Sequence, residues 1–175
     1  MNITRQAALI AAYAHRSQTY GDMTYYDGHL DIVANYVARI TESWKPADQE
    51  TATAVAYLHD SLEDKVIKRA TLARDLAMVA PFHHAEFICQ IVYRLARMKN
   101  ESYTDYIRRL CAAEAPLLRK TLLTVKSADL LANIAAGPNE SLLKRYHKAL
   151  GAVATYLGDE RKPINDILIE NQIKS

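Results

Sequence analysis

Four ionisable side chains crowd together between positions 59 and 64 of the chain. His59 and Asp60 are followed by Glu63 and Asp64. On a continuous helix, His59 would stack over Glu63 and Asp60 over Asp64, because residues four apart lie on consecutive turns. Three carboxylates at this spacing repel one another, and a bound divalent cation offsets such a concentration of negative charge. The alternative is a solvated helix end, but acids at a C-terminal turn oppose the helix dipole.

A second polar set follows one stripe of an otherwise apolar segment. Lys126, Asp129 and Asn133 stand at i, i+3 and i+7. A buried carboxylate is unfavourable without a partner, so Asp129 needs a cation, a metal or several donors. Lys126 alone would satisfy it, and this segment by itself therefore leaves an ion pair and a metal site both open. His29 favours the metal, because it follows a tyrosine-rich loop at 21–28 and can be directed across a cleft.

The elements that carry these residues are predicted to be helices. Apolar residues recur at spacings of three and four, and alternation with period two is hard to find. The predicted helices lie near 3–18, 29–43, 47–64, 68–79, 82–99, 103–114, 116–136, 139–157 and 163–172. Pro46, Pro81 and Pro116 suit first helical turns, and Ser102 and Asn139 suit N-caps. We expect an all-α, compact orthogonal helical bundle that forms one domain over residues 1–175.

Composition narrows the classes of partner. The chain has 175 residues, half of them hydrophobic, and a formal net charge of +2. It therefore has no large uniform field with which to bind nucleic acid or an anionic membrane. The N-terminal residues lack a secretory pattern, and no apolar run is long enough to span a bilayer, so we expect a cytoplasmic protein. Cys89 and Cys111 lack a CxxC partner and are expected to be buried, reduced thiols.

Four segments arrive in an order that resembles a known family. They are AHRSQ at 14–18, YYDGHLDIV at 25–33, LHDSLED at 58–64 and VKSADLLAN at 125–133. These segments are similar to the AHxxQ, PYxxHPxxVA, LLHDxxED and KLADRLxN motifs of HD-domain phosphohydrolases, and within them of the RelA/SpoT-like alarmone hydrolases and their small single-domain relatives. LARMKNESYTDYI at 95–107 is similar to LTRxxxESYxDYI of the small stand-alone members. Four motifs in the family order are far more specific than a lone HD dipeptide.

The resemblance implies a metal-dependent hydrolase. It implies one divalent metal, usually manganese in this branch, with four ligands: His29, His59, Asp60 and Asp129. Two imidazoles and two carboxylates suit Mn2+, which accepts both ligand types in an octahedral shell. Glu63 and Asp64 would then activate or orient the attacking water.

The resemblance also implies a nucleotide substrate. For a guanosine polyphosphate, the expected reaction removes the 3′-pyrophosphate. Six side chains are candidates for substrate contacts: Tyr25, Arg97, Lys99, Lys126, Asn133 and Tyr146. Asn133 would meet the ribose, and Tyr146 lies either near the base and phosphates or simply packs in its helix. Arg97 and Lys99 either reach the phosphates or are solvated surface charges.

Departures from the family pattern concern the substrate. Residues 19–22 lack a basic pair, and Leu142 stands where the family has an arginine. A guanidinium over the purine is therefore missing, and Tyr20 or Tyr25 would stack there instead. The metal and water-activating positions are intact, so the base and the number of phosphates stay open. The oligomeric state is open as well, between a monomer and a homo-oligomer.

Two other classes of function remain. The first is an HD-type nucleotidase or dNTP phosphohydrolase, which would use the same metal site on another substrate. The second is a non-catalytic nucleotide sensor or protein-binding helical module. Glu63 and Asp64 argue against the second class, since a pure binding site has no need of a water-activating pair.

Overall fold

A computed structural model describes residues 2–174 as an all-α protein with one very short hairpin, which confirms the predicted fold class. The helices are α1 (Ile3–Ala14), α2 (Asp31–Ile40), α3 (Pro46–Leu58), α4 (Arg69–Leu76), α5 (Phe82–Leu95), α6 (Tyr103–Cys111), α7 (Pro116–Ala135), α8 (Glu140–Ala154) and α9 (Arg161–Lys174). The hairpin pairs β1 (Thr19–Tyr20) with β2 (Met23–Thr24), and a π-helical turn, Tyr26–Leu30, leads into α2. We call this segment the π-turn.

Helix α7 forms the centre of the fold. It packs against α2, α3, α5, α6, α8 and α9. Most of its side chains are buried, with Leu122, Leu123, Leu130 and Leu131 fully inaccessible to solvent. Burial of apolar surface on several sides stabilises this arrangement. As a result, the polar stripe of α7 lies in the middle of the protein.

Helix starts are largely where the sequence predicts them. Pro46 and Pro116 stand in the first turns of α3 and α7, where proline loses no helical hydrogen bond. Pro81 differs, because it is the N-cap residue of α5. Ser102 and Asn139 cap α6 and α8, and each accepts a hydrogen bond from the backbone amide three residues on, over 3.1 and 3.0 Å. These bonds satisfy amides that a helix start otherwise leaves unpaired.

The predicted helix over 47–64 ends early, at Leu58. The chain then runs through turns, and Lys65 has a φ of 58°, which a right-handed helix cannot accommodate. The continuous helix expected to stack His59 over Glu63 is therefore absent. Likewise, α1 ends at Ala14 rather than near residue 18.

The segment predicted as a loop at 21–28 is more ordered than expected. Its hairpin turns at Gly21, where φ is 59°, and the π-turn follows directly. Gly28 lies against the hairpin: a Cβ there would come within 3.1 Å of Cβ of Tyr20. His29 was expected to open a helix over 29–43, and instead it lies in the π-turn, one residue before Leu30 and α2. Such π-helical turns are frequent at functional sites.

The structure also bears on two predictions, one for the state of the two cysteines and one for membrane-spanning helices. Cys89 and Cys111 are free thiols and buried, as predicted. Among the helices described here, none is both long enough and apolar enough to cross a membrane.

Candidate metal centre

Three separate parts of the chain bring ligand atoms to one buried point. His29 comes from the π-turn, His59 directly follows α3, and Asp129 lies within α7. One ligand atom from each of these three residues lies within 4.8 Å of the other two, and all three residues are buried. This His-His-Asp group could hold a metal ion.

Asp60 borders the same group. Its Oδ2 lies 3.1 Å from Nε2 of His59 and 3.6 Å from Nε2 of His29. Oδ1 of Asp129 lies 3.3 Å from Nε2 of His29 and 3.8 Å from Nε2 of His59. Octahedral ligands about 2.1 Å from a cation stand about 3.0 Å apart when adjacent and about 4.2 Å apart when opposite. The four distances lie between these values, and Asp60 thus borders a His-His-Asp group that could hold a metal ion.

The ring of His59 is oriented by the backbone. Nδ1 of His59 lies 2.8 Å from the carbonyl oxygen of Ala56. A carbonyl only accepts, so Nδ1 donates to it and Nε2 is the nitrogen left to bind a cation or a second proton. That Nε2 is buried and has no hydrogen-bond partner among the described residues, and the same is true of Nδ1 of His29. Buried nitrogens are normally paired, and a cation facing the lone pair of His59 would supply the missing partner.

Both carboxylates are held by donors. Asp129 accepts from Nζ of Lys126 at Oδ2 and from Nδ2 of Asn133 at Oδ1, each over 2.6 Å. Asp60 accepts from the hydroxyl of Tyr25 at Oδ2, also over 2.6 Å. The sequence suggested these three donors as substrate contacts, and the structure brings each of them onto a candidate metal ligand. Groups that orient metal ligands in this way influence metal affinity.

The charges within the centre depend on one another. Burial raises the pKa of Asp129, but Lys126 and the two imidazoles outweigh burial and hold that pKa well below its usual value. Burial lowers the pKa of His59, but Asp60 and Asp129 raise it well above the ordinary value. Burial raises the pKa of Asp60, whereas His59 lowers it, to about 2. The carboxylates are therefore ionised, and a proton competes with a cation for His59.

Glu63 and Asp64 follow His59 and Asp60 in the turns after α3, and each carboxylate is partly shielded by a neighbouring segment while the residue stays accessible to solvent. Oε2 of Glu63 accepts the backbone N–H of Arg97 over 3.0 Å. Partial burial raises the pKa of Glu63 and Asp60 adds to this, although the bond from Arg97 acts against both. Oδ2 of Asp64 accepts from Nε2 of Gln18 over 3.0 Å. Each carboxylate thus has one oxygen held and, within the described residues, the other free of hydrogen bonds.

A network that the sequence did not predict holds Asp64. Nδ1 of the buried His15 donates to Oε1 of Gln18, whose amide in turn donates to Asp64. Nε2 of His15 accepts from Oγ of Ser61 over 3.3 Å, and its ring stacks on Tyr25 at 5.1 Å. The spacing of His15 and Gln18 in the AHRSQ segment was the available signal. That spacing does not identify Asp64 as the partner, because Asp64 lies 46 residues beyond Gln18.

The other candidate residues differ in how closely they approach the candidate ligands. The ring of Tyr20 stacks on His29 at 5.1 Å, and its hydroxyl donates to Oδ1 of Asn133 over 3.3 Å. Arg97 and Lys99 are exposed in the loop after α5, and Tyr146 is half-buried on α8. No contact joins these last three side chains to the candidate ligands within the described residues. Their roles toward substrate remain predictions.

Each of the four motifs that carry the family resemblance contributes to this centre or to its supports. The segments at 25–33, 58–64 and 125–133 supply the candidate ligands, and 14–18 supplies the network that holds Asp64. Comparison with known proteins adds no relative: no protein-family model matches the chain, and no curated protein matches it. Any function assigned to the chain therefore rests on these segments and their geometry.

Proposed function

We propose that this chain is a divalent-metal-dependent phosphohydrolase of the HD type that acts on a nucleotide. One observation carries the proposal. Nε2 of His59 is buried, has no hydrogen-bond partner among the described residues and faces the carboxylates of Asp60 and Asp129. Together with His29, these residues form a set of donors whose types and spacing are suited to a cation.

The donor set supports manganese as the cation. Two imidazoles with two carboxylates suit a metal that accepts both nitrogen and oxygen ligands. When bound, such a cation neutralises phosphoryl charge and lowers the pKa of water that contacts it. His29, His59, Asp60 and Asp129 would hold the ion, while Lys126, Asn133 and Tyr25 keep the two carboxylates oriented.

Glu63 and Asp64 are suited to handling the attacking water. A general base works best when its pKa lies near the working pH, and partial burial raises the pKa of Glu63 in that direction. Because Oε2 of Glu63 is held by Arg97, Oε1 is left to accept the proton. Asp64, fixed by Gln18, would orient the water through Oδ1.

A guanosine polyphosphate is the substrate that we propose, with release of its 3′-pyrophosphate. Support for this choice comes from the order of the four motifs and from the ESYTDYI stretch at 101–107. Arg97 and Lys99 would then meet phosphates near Glu63, since the backbone of Arg97 already contacts that carboxylate. Tyr146 would lie near the base and phosphates.

The proposal is tested with purified protein stripped of metal by EDTA and resupplied with Mn2+. The substrates are guanosine 3′,5′-bis(diphosphate), GTP, dGTP and GMP, with products separated by ion-exchange chromatography. The matched control is Asp129→Asn, which keeps the shape of a ligand and removes its charge. Pyrophosphate released only from the 3′ position, and only by the wild type with metal, is the expected result.

Other outcomes separate the alternatives. Release of inorganic phosphate or triphosphate from 5′ nucleotides would show that the substrate is another nucleotide. The metal-dependent hydrolysis would then still stand. Nucleotide binding without turnover that requires both Mn2+ and Asp129 would support the non-catalytic sensor instead. Turnover that is equal in Asp129→Asn and wild type would refute the metal site as the centre of hydrolysis.

A further inference from the structure

A cavity of about 500 Å³ lies between α6 and α8. We call it the α6–α8 groove, and its main lining residues are Tyr103, Ile107, Arg108, Arg145, Lys148 and Tyr156. None of the candidate metal ligands lines it. Its volume is in the range of pockets that hold small molecules the size of a mononucleotide.

The groove concentrates positive charge in a protein whose net charge is only +2. Arg108, Lys144, Arg145 and Lys148 line it, and no carboxylate does. Arg108 and Lys144 each pair with an acid on their own helix, in exposed ion pairs that contribute little. Arg145 and Lys148 form no ion pair with a carboxylate of residues 2–174. An anion entering the groove would therefore meet two cations that are not already neutralised.

The floor of the groove is apolar. Ile107, Cys111 and Ala149 line it and are only 6, 7 and 5% exposed. The rings of Tyr103 and Tyr156 add flat apolar surface. A simple inorganic anion has no use for these surfaces, whereas a ligand with both a phosphate and a ring would use the cations and the apolar floor together.

Tyr103 and Arg145 form the most defined part of the groove. The guanidinium of Arg145 lies 5.0 Å from the centre of the Tyr103 ring, a cation–π contact that restrains this long side chain. The hydroxyl of Tyr103 is buried and has no hydrogen-bond partner within the described residues. Nζ of Lys126, which holds Asp129, lies 5.8 Å from the same ring. The groove therefore adjoins a support of the metal centre without including any ligand.

From these features we infer that the α6–α8 groove is a binding site for a phosphorylated, ring-bearing small molecule of the nucleotide class, separate from the candidate metal centre. Arg145 and Lys148 bind the phosphates of this ligand. Tyr103 and the apolar floor contact its ring. This site does not depend on hydrolysis at the metal centre, and its occupant is a second molecule rather than the one whose phosphate is attacked.

The test is calorimetric titration of the full chain with GTP in EDTA, which prevents occupation of the metal centre by a metal–nucleotide complex. We expect one molecule of GTP per chain. Arg145→Gln combined with Lys148→Gln should weaken binding at least about tenfold, as expected when two charged contacts to phosphate are lost. The matched control, Arg5→Gln combined with Lys45→Gln, changes the net charge equally at exposed positions outside the groove and should leave the affinity unchanged.

Two further arms make the result decisive. Ala152→Phe fills the groove from an exposed position of α8 without removing charge, and it should weaken GTP binding as the double variant does. Inorganic tripolyphosphate should bind more weakly than GTP because it has no ring. The inference is overturned if GTP does not bind, if the control pair weakens binding as much as the groove pair, if Ala152→Phe has no effect, or if tripolyphosphate binds as tightly as GTP. Absence of hydrolysis in the substrate panel would leave these binding results standing, so the two proposals fail separately.

Discussion

Nδ1 of His59 donates a hydrogen bond to the carbonyl oxygen of Ala56, and this bond directs the opposite ring nitrogen toward Asp129. The bond measures 2.8 Å, and Nε2 of His59 lies 3.8 Å from Oδ1 of Asp129. Because α3 ends at Leu58, the imidazole is held by the last turn of a helix whose backbone need not move. The ring therefore has the orientation of a ligand before any cation is bound, and binding requires only that Nε2 release its proton.

Replacing Glu63 by Gln should remove the proton acceptor and leave the cation site intact. We expect kcat on the preferred nucleotide to fall about 10²–10⁴-fold, the usual contribution of a general base, with little change in Mn2+ affinity. Steady-state kinetics and metal titration measure the two effects separately. Glu42→Gln, at an exposed position, should be fully active, and full activity of Glu63→Gln would show that another group accepts the proton.

The raised pKa of Glu63 also predicts how the rate depends on pH. The carboxylate accepts a proton only when it is ionised, so kcat/KM should fall as the pH drops through the pKa of Glu63. Partial burial raises that pKa, so the acidic limb should lie at a higher pH than an ordinary glutamate would give. A profile of kcat/KM against pH locates this acidic limb. An acidic limb at or below the pH expected of an exposed glutamate would contradict the assignment of Glu63 as the proton acceptor.

The hydroxyl of Tyr25 should matter for metal affinity rather than for the fold. Tyr25→Phe deletes the 2.6 Å bond to Asp60 and keeps the ring that stacks on His15. Loss of such an orienting partner typically weakens metal binding about 10–100-fold. Titration with Mn2+ under anaerobic conditions measures this loss. Tyr26→Phe is the matched control from the same turn, since its ring stacks on Tyr57 instead, and equal affinities in the two variants would rule out the proposed support.

Gln18 should act on the rate through Asp64. In Gln18→Met, both the bond from His15 and the bond to Asp64 are lost while the volume is kept. A carboxylate that is no longer held should position water poorly, and we expect kcat to fall about tenfold or more with KM little changed. Gln49→Met loses one bond to a backbone carbonyl far from the centre, and its kinetics should match the wild type. A Gln18→Met enzyme with unchanged kcat would disprove the role of this network.

An ion pair between the buried Glu160 and the more exposed Lys120, outside the site, offers a test of stability. Glu160 is 4% exposed, and Oε1 accepts from Trp44 over 2.9 Å and from Lys120 over 2.7 Å. Burial raises the pKa of Glu160, but Lys120 and Trp44 outweigh it and lower that pKa below the ordinary value. Ionised Glu160 therefore stabilises the fold above its unfolded-state pKa, and this stabilisation is lost as the pH falls through its folded-state pKa.

Glu160→Gln should accordingly lower the free energy of unfolding at pH 7 by about 1–3 kcal/mol. The difference from wild type should shrink in acid, as the wild-type carboxylate becomes protonated. Urea denaturation at several pH values measures both effects. Glu140→Gln removes an exposed ion pair on α8 and should change stability very little. A Glu160→Gln protein as stable as the wild type would mean that the pair contributes nothing net.

The features that could be predicted from the sequence are those that follow from hydrophobic periodicity or from the free-energy cost of burying a charge. Apolar spacing predicted the helices, and the stripe of α7 pointed to Asp129 because an ionised carboxylate inside a central helix requires partners. Of the two alternatives left open for this helix, the ion pair between Lys126 and Asp129 is present, and Asp129 also belongs to the His-His-Asp group that could hold a metal ion. This pair does not replace the cluster, because Lys126 holds Oδ2 while Oδ1 faces His29.

Local departures from regular helix were not predictable in the same way. The π-turn that directs His29 inward depends on the fit of Gly28 against Tyr20, which is a contact between elements and leaves no periodic signal. The end of α3 at Leu58 likewise has no periodic signal: it coincides with the contacts of His59 to Asp60 and Asp129 from outside the helix, and Lys65 farther on has a left-handed φ. The helix propensities of the residues in these two segments predict neither the π-turn nor the early end of α3.

The central claim is that His29, His59, Asp60 and Asp129 bind one divalent cation together. The most direct measurement is elemental analysis with Mn2+ titration of wild-type protein and of Asp129→Asn after removal of metal by EDTA. We expect one ion per chain in the wild type and loss of that stoichiometric binding in the variant, with the helical content of both unchanged by circular dichroism. Wild-type protein that binds no divalent cation, or Asp129→Asn that binds one as tightly, would contradict the claim.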